Sequence, residues 1–100
     1  MTKARIEHRE DSVRVEITGH AGDAKICAGI SAMTCACIMT LEALDAQVTV
    51  EVLGDGEATF TAETKNERQI TVVDVLQVGL LAMQRQWPDN VGVTLISTTS

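Results

Sequence analysis

The segment that decides the fold is an uncharged run over residues 26–41, ICAGISAMTCACIMTL. On a helix with about 100° per residue, its larger apolar side chains form one stripe: Ile26, Ile30, Met33, Cys37, Leu41 and, just beyond the run, Leu44. The opposite side is small or uncharged: Ala28, Ala32, Cys35, Ala36, Met39 and Ala43. A helix that is apolar on both sides must be covered on both. We expect a sheet against one side and a second helix or another subunit against the other, and we favour a homodimer.

Alternating apolar and polar residues on both flanks of this helix predict half-buried strands. The apolar or inward positions are Ala4, Ile6 and His8; Val13, Val15 and Ile17; Val48, Val50 and Val52; and Ala58, Phe60 and Ala62. The sequence Gly54-Asp55-Gly56 is typical of a hairpin turn, and residues 91–96 predict a fifth strand.

The helices are predicted from Lys25 to about Leu44 and from Glu67 to Trp87, with Pro88 ending the second. The order β-β-α-β-β-α-β predicts an α+β fold, a single two-layer domain over residues 1–100. Its sheet is expected to be largely antiparallel and packed by two helices.

Composition and charge narrow the classes of function. The chain has 100 residues, a net charge of −6 and two aromatic side chains, which disfavours binding to nucleic acid. The uncharged run is shorter than the roughly 20 apolar residues of a membrane span, and residues 1–7 do not look like a secretory signal. Three cysteines within eleven residues form no disulfide framework. We therefore expect a cytoplasmic protein that does not associate with membranes.

No metal or other cofactor is expected. Cys35 and Cys37 point in directions about 160° apart on a helix, so they cannot bind one metal together. Cys27 and His20 supply two ligands, whereas zinc sites normally have three or four.

One histidine and one cysteine are placed as a thiol enzyme needs them. His20 ends a predicted strand, and Cys27 opens the long helix, where free N–H groups and the helix dipole favour a thiolate. The loop between them is long enough to bring imidazole beside sulfur. Ser31, one helical turn after Cys27, orients a substrate, holds His20 or simply bonds back to a carbonyl. An inert buried cysteine and a structural histidine remain the alternative interpretation.

These motifs resemble the bacterial ribosomal-processing cysteine protease family (Prp). The resemblance rests on Gly-His-Ala after a strand and Cys-Ala-x-Ile-Ser-Ala at a helix start, and it extends to VGLLAM at 78–83 and to Trp-Pro-Asp at 87–89. It implies a small α+β protein, typically dimeric, that removes the N-terminal extension of a large-subunit ribosomal protein. By this resemblance His20 is the catalytic histidine, Cys27 the nucleophile and Ser31 the serine of the Cys-Ala-x-x-Ser stretch.

The chain departs from the family between the histidine and the cysteine. The family has a longer loop with an Asp three positions before the Cys, whereas here that position is Ala24 and the nearest Asp is Asp23. Asp23 is expected to cap the helix. The short loop either holds His20 and Cys27 together more rigidly or holds them apart.

Two hypotheses about the function of the site follow. In the first, N–H groups around Cys27 and Ala28 stabilise an oxyanion in a cysteine endopeptidase, and Gly19 either lets a substrate backbone approach or is only a turn glycine. In the second, the same groove belongs to a non-catalytic relative that binds a peptide or protein. A redox role for Cys27 is weaker, because no second cysteine stands in C-x-x-C spacing.

Overall fold

The strands and helices follow the predicted order in a computed structural model that describes residues 1–98. The elements are β1 (Thr2–His8), β2 (Ser12–Thr18), α1 (Ala24–Ala43), β3 (Val48–Gly54), β4 (Glu57–Glu63), α2 (Glu67–Gln86) and β5 (Val91–Ser97). The predicted α+β fold with five strands and two helices is confirmed. The predicted domain range ended at residue 100, and residues 99–100 lie outside the described part.

The five strands form one sheet in the order β3-β4-β2-β1-β5. All neighbouring strands are antiparallel except β1 and β5, which are parallel. Parallel neighbours need a crossover, and α2 supplies the last part of it. The largest side chains that are fully enclosed come from alternate strand positions and from both helices: Ile6, Val13, Val15, Leu41, Phe60, Val73, Leu80 and Val91.

Both helices begin at the capping residues that the chain places before them. Asp23 accepts a hydrogen bond from the Lys25 N–H at 2.8 Å, which confirms the expected cap on α1. Asn66 does the same for α2, at 3.0 Å from the Gln69 nitrogen. α2 ends one residue before the predicted Trp87, because Pro88 cannot continue a helix.

The buried side of α1 differs from the predicted stripe. Thr34 and Ile38 are buried, whereas Met33 and Leu44 are only half-buried. A threonine is tolerated there because its hydroxyl donates to the Ile30 carbonyl at 2.8 Å. Met33 lies instead at the contact with α2.

Glycines bring the two helices together. A Cβ atom on Gly79 of α2 would lie 2.5 Å from the sulfur of Met33, and one on Gly29 of α1 would lie 3.3 Å from Cε of Met83. α2 therefore packs against α1 at Gly29 and Met33, beside the predicted stripe. The second side of α1 is not covered by α2 as expected but remains exposed at Ala28, Ala32, Ala36, Met39 and Ala43. α1 is long and apolar enough to cross a membrane by length and composition alone, but here its inner residues are part of the core.

Candidate active site

A cleft of about 240 Å³ opens where the start of α1, the end of β2 and the β3–β4 turn meet. Four of the five predicted site residues line it: Gly19, His20, Cys27 and Ser31. The fifth, Ala28, is exposed and is not part of the lining. The fold therefore brings the predicted cysteine and histidine to one cavity, although six residues separate them in the chain.

Cys27 is held by the backbone of the short loop before α1. The Ala21 N–H donates to Cys27 Sγ with an N···S distance of 3.3 Å. The Ala21 carbonyl in turn accepts from the Asn90 side-chain amide at 2.7 Å, and Ala21 is buried. An N–H donor directed at a half-buried sulfur stabilises negative charge on it. The loop is thus anchored at its centre by Asn90, the residue just before β5.

The start of α1 corrects one expectation about the oxyanion. The Cys27 N–H donates to the Asp23 carbonyl at 3.1 Å, as the first bond of the helix. That donor is committed to the helix and is not available to a substrate oxygen. Free N–H groups at a helix start belong to the residues before this first bond, and here the Lys25 N–H already donates to the Asp23 side chain, so the N–H groups of Ala24 and Ile26 are the ones left for a substrate oxygen.

His20 follows a backbone position that only glycine tolerates. Gly19 has a φ of +87°, and a Cβ atom there would lie 2.5 Å from the Met1 carbonyl oxygen. Its N–H donates to the Gly56 carbonyl at 2.9 Å, and its carbonyl accepts from the Thr2 hydroxyl at 3.0 Å. The chain entering His20 is therefore fixed from both the β3–β4 turn and the start of β1.

The imidazole of His20 rests on Gly56 and is otherwise exposed. A Cβ atom on Gly56 would lie 2.6 Å from Nε2 and 2.8 Å from Cε1 of the ring. Within residues 1–98, His20 makes no side-chain hydrogen bond, to Cys27 or to any other residue. The two predicted side chains share the cleft without a direct bond between them.

Ser31 differs from the other hydroxyl residues of α1. Thr34 and Thr40 bond back to carbonyls four residues earlier, at 2.8 and 2.7 Å. In the described chain, no such bond is made by the Ser31 hydroxyl, which is exposed at the cleft. It is therefore free to contact a bound molecule.

The other two cysteines have different surroundings. Cys35 is half-buried at the cleft wall. Cys37 is buried, and burial raises the pKa of its thiol to about 11, because a desolvated thiolate is unfavourable. Cys37 is thus a structural residue of the core.

The wall formed by the β3–β4 turn was not predicted from the sequence. Leu53, Asp55, Gly56 and Glu57 line the cleft opposite α1, and Thr2 closes it from β1. The lining within the described residues contains two carboxylates and no lysine or arginine. The Gly54-Asp55-Gly56 signal identified the turn, but only the order of strands in the sheet places it beside β2.

A thiol at a helix start and an imidazole at a strand end, in one cleft of an α+β protein, are the side chains that cysteine proteases use. The chain belongs to the cysteine protease family Prp, whose family model matches residues 1–92. The resemblance seen in the motifs is therefore confirmed. Among proteins with curated descriptions, none matches this chain.

Solved structures share the fold over nearly the whole chain. The protein SMU.848 from Streptococcus mutans has a TM-score of 0.81 at 21% identity, covering 98% of this chain and 96% of its own. The ribosomal processing protease Prp from S. aureus, with a covalently linked product peptide, has a TM-score of 0.77 at 22% identity, covering 95% and 99%. The same protease with a substrate peptide has a TM-score of 0.75 at 18% identity, again covering 95% and 99%. At these identities the likeness concerns the fold.

Proposed function

We propose that this protein is a cysteine endopeptidase in which Cys27 is the nucleophile and His20 the general base and acid. The observation that carries the proposal is the shared cleft, in which the Cys27 sulfur accepts the Ala21 N–H and faces the same cavity as the His20 ring. Family membership supports it, because Prp is a family of cysteine proteases.

The proposed reaction follows the general chemistry of thiol proteases. The Cys27 thiolate attacks the scissile carbonyl carbon, and the peptide C–N bond breaks as the leaving amine takes a proton from the His20 imidazolium. The resulting thioester is hydrolysed by a water molecule whose proton passes to His20, which restores the thiolate and the imidazolium. The Ser31 hydroxyl contacts the bound peptide.

The proposed substrate is a protein, namely a large-subunit ribosomal protein with an N-terminal extension. Support comes from the S. aureus relative, a ribosomal processing protease crystallised with substrate and product peptides. Ribosomal proteins are basic in order to bind RNA, and this chain has a net charge of −6. Asp55 and Glu57 add negative charge at the cleft. The reaction takes place in the cytoplasm, without nucleic acid, membrane or cofactor.

The enzyme is proposed to act as a homodimer. An apolar groove of about 410 Å³ lies between the two helices on their outer side, and Met39, Val75 and Val78 are between 63% and 68% exposed. Exposed apolar surface of this kind marks protein contacts. Light scattering after gel filtration is expected to give a mass of two chains for the wild type and of one chain for Val75→Asp. Thr49→Asp, which adds the same charge on an exposed strand position, is expected to stay dimeric.

A divergent relative that binds a peptide without cutting it is the second candidate. The observation that favours it is the missing hydrogen bond between His20 and Cys27 in the described residues, together with the shortened loop. In that case the cleft binds the peptide, and Cys27 reacts as an ordinary thiol.

The experiment that separates the two candidates is cleavage of a peptide spanning the extension junction of the organism's own ribosomal protein. Wild type is compared with Cys27→Ala, His20→Ala and the matched control Cys37→Ala, which removes a thiol from the same helix outside the cleft. The protease proposal expects cutting by wild type and Cys37→Ala only. Cutting by Cys27→Ala would exclude Cys27 as the nucleophile. Binding of the peptide without cutting by wild type would favour the second candidate.

A further inference from the structure

We propose that Gly56, in the turn between β3 and β4, is a positioning residue that sets where the His20 imidazole sits in the cleft. The proposal rests on the proposed function, in which His20 exchanges protons with Cys27 and the substrate. It assigns a role to a residue that is distant in the chain from both and that carries no reactive group.

Gly56 supports His20 through two separate contacts. Its carbonyl accepts the Gly19 N–H at 2.9 Å, which fixes the backbone immediately before His20. Its Cα face is covered by the ring, so that an added Cβ atom would lie 2.6 Å from Nε2, 2.8 Å from Cε1 and 3.2 Å from Cδ2. The ring therefore lies flat against the one residue that has no side chain to displace it.

These contacts stand in place of the hydrogen bond that orients histidine in many active sites. A catalytic imidazole is commonly held by an acceptor on its second nitrogen, whereas within residues 1–98 the contact that the His20 ring makes is with Gly56 and not with a hydrogen-bond acceptor. Packing on Gly56 is what restricts the ring here. A ring that is restricted by packing alone moves when the packed surface changes, and proton transfer depends steeply on its position.

The backbone at Gly56 adds a second reason for glycine. Its φ of +74° is a conformation that L side chains rarely adopt. Because His20 is exposed and its ring is the far end of a side chain, a methyl group at Gly56 is accommodated by displacing the ring, with the turn kept. The fold is expected to survive while the site loses its geometry.

Kinetics of Gly56→Ala and Gly56→Asn test the proposal with the junction peptide. Asparagine tolerates positive φ better than alanine but carries the same Cβ atom. We expect both variants to lower kcat by about 10- to 100-fold, as misplacement of a catalytic group does, with little change in KM and a shifted pH profile of kcat/KM. In the His20→Ala background, Gly56→Ala is expected to change the residual rate less than about twofold. The proposal would be overturned if Gly56→Ala lowered the rate by the same factor with and without His20. It would also be overturned if the Gly56 variants kept the kcat and the pH profile of wild type.

Two further measurements keep this test separate from the test of the protease itself. The NMR signals of the His20 ring are expected to shift in Gly56→Ala and to stay in place in Gly22→Ala, which has a comparable φ of +82° but no His20 contact. The free energy of unfolding of Gly22→Ala also gives the cost of placing a side chain at a positive φ where no histidine ring has to move. If wild type cuts no peptide, the proposed function fails. The positioning role of Gly56 is then still supported if Gly56→Ala shifts the His20 ring signals and changes the alkylation rate of Cys27 only when His20 is present. Unmoved ring signals in Gly56→Ala would refute it.

Discussion

The two reactive side chains of the cleft are supported in opposite ways. Cys27 lies in the first turn of a twenty-residue helix, half-buried, with a backbone N–H directed at its sulfur. His20 lies just beyond the end of β2, exposed, with its ring packed on Gly56 and no hydrogen bond in the described chain. The sulfur is held by its place in the helix and by a hydrogen bond from the loop before it, and the imidazole is held by packing on the β3–β4 turn.

Because of this difference, we expect His20 and not Cys27 to be the mobile side chain of the site. Hydrogen bonds and helical structure fix Cys27 before any substrate arrives, whereas the His20 ring can move by rotation of its own side chain. Hydrogen bonds at catalytic residues commonly tighten only when substrate is bound. We therefore expect the pairing of His20 with Cys27 to tighten on substrate binding by a small rotation of the His20 side chain, with its ring kept in contact with Gly56.

The largest contrast is expected between Cys27 and Cys37 in alkylation by iodoacetamide. Burial raises the pKa of the Cys37 thiol to about 11, so it stays protonated at pH 8, and the thiolate is the reactive form. In the native protein we expect Cys27 to be labelled at least about 100-fold faster than Cys37, as measured by site-resolved mass spectrometry. In guanidinium chloride the difference should disappear.

The same pKa gives a pH dependence of stability. The folded Cys37 thiol keeps its proton up to about pH 11, whereas the unfolded thiol loses it near its ordinary value of 9.0. The stabilisation is therefore complete below pH 9 and is lost as the pH rises towards 11. The free energy of unfolding in urea, measured at pH 8, 9.5 and 10.5, should therefore fall with pH in wild type and fall less in Cys37→Ala. Equal pH dependence of the two proteins would show that Cys37 is not the group responsible.

The next largest effect is expected at the backbone before His20. Gly19→Ala combines a positive φ with a clash against the Met1 carbonyl, a backbone atom that cannot turn away. We expect a loss of about 2–4 kcal/mol in the free energy of unfolding, measured by urea denaturation, and loss of cleavage with it.

Gly54→Ala is the matched control for this substitution. Among residues 1–98, no atom lies within 4 Å of a Cβ atom added at Gly54, so the free energy of unfolding of this variant should stay within about 1 kcal/mol of wild type. If Gly19→Ala proved as stable as Gly54→Ala, the entry to His20 would not be fixed as the structure indicates.

The fold was largely predictable because its signals are local. Alternation marked the strands, and Asp23 and Pro88 marked helix ends to within about one residue. The error in the buried side of α1 had a physical cause: Thr34 satisfies its hydroxyl within the helix and can be buried, while Met33 fills the space beside Gly79. Periodicity does not reveal either contact.

The site was only half predictable for the same reason. His20 and Cys27 stand at element ends close in sequence, and their meeting in one cleft follows from the β-loop-α pattern. Gly56 and Asn90 reach the site from 36 and 70 residues after His20, through the pairing of β2 with β4 and of β1 with β5. Strand order depends on contacts far apart in the sequence and cannot be read from local patterns. Neither Gly56 nor Asn90 has a reactive or titratable side chain that would mark it as a site residue. The catalytic roles of His20 and Cys27 remain predictions.

A smaller effect is expected on the cysteine side, at Asn90. Its amide donates to the carbonyl of buried Ala21 at 2.7 Å, and Asn90→Ala leaves that carbonyl without its partner, at a cost of about 1–2 kcal/mol in unfolding free energy. Because the Ala21 N–H then loosens from Cys27 Sγ, we expect kcat to fall by about tenfold and Cys27 alkylation to change with it. The neighbouring exposed Asp89→Ala is the control and should alter neither. A stability loss in Asn90→Ala with kcat and alkylation unchanged would mean that the loop anchor serves the fold alone, and that Cys27 is held by its helix without help from Ala21.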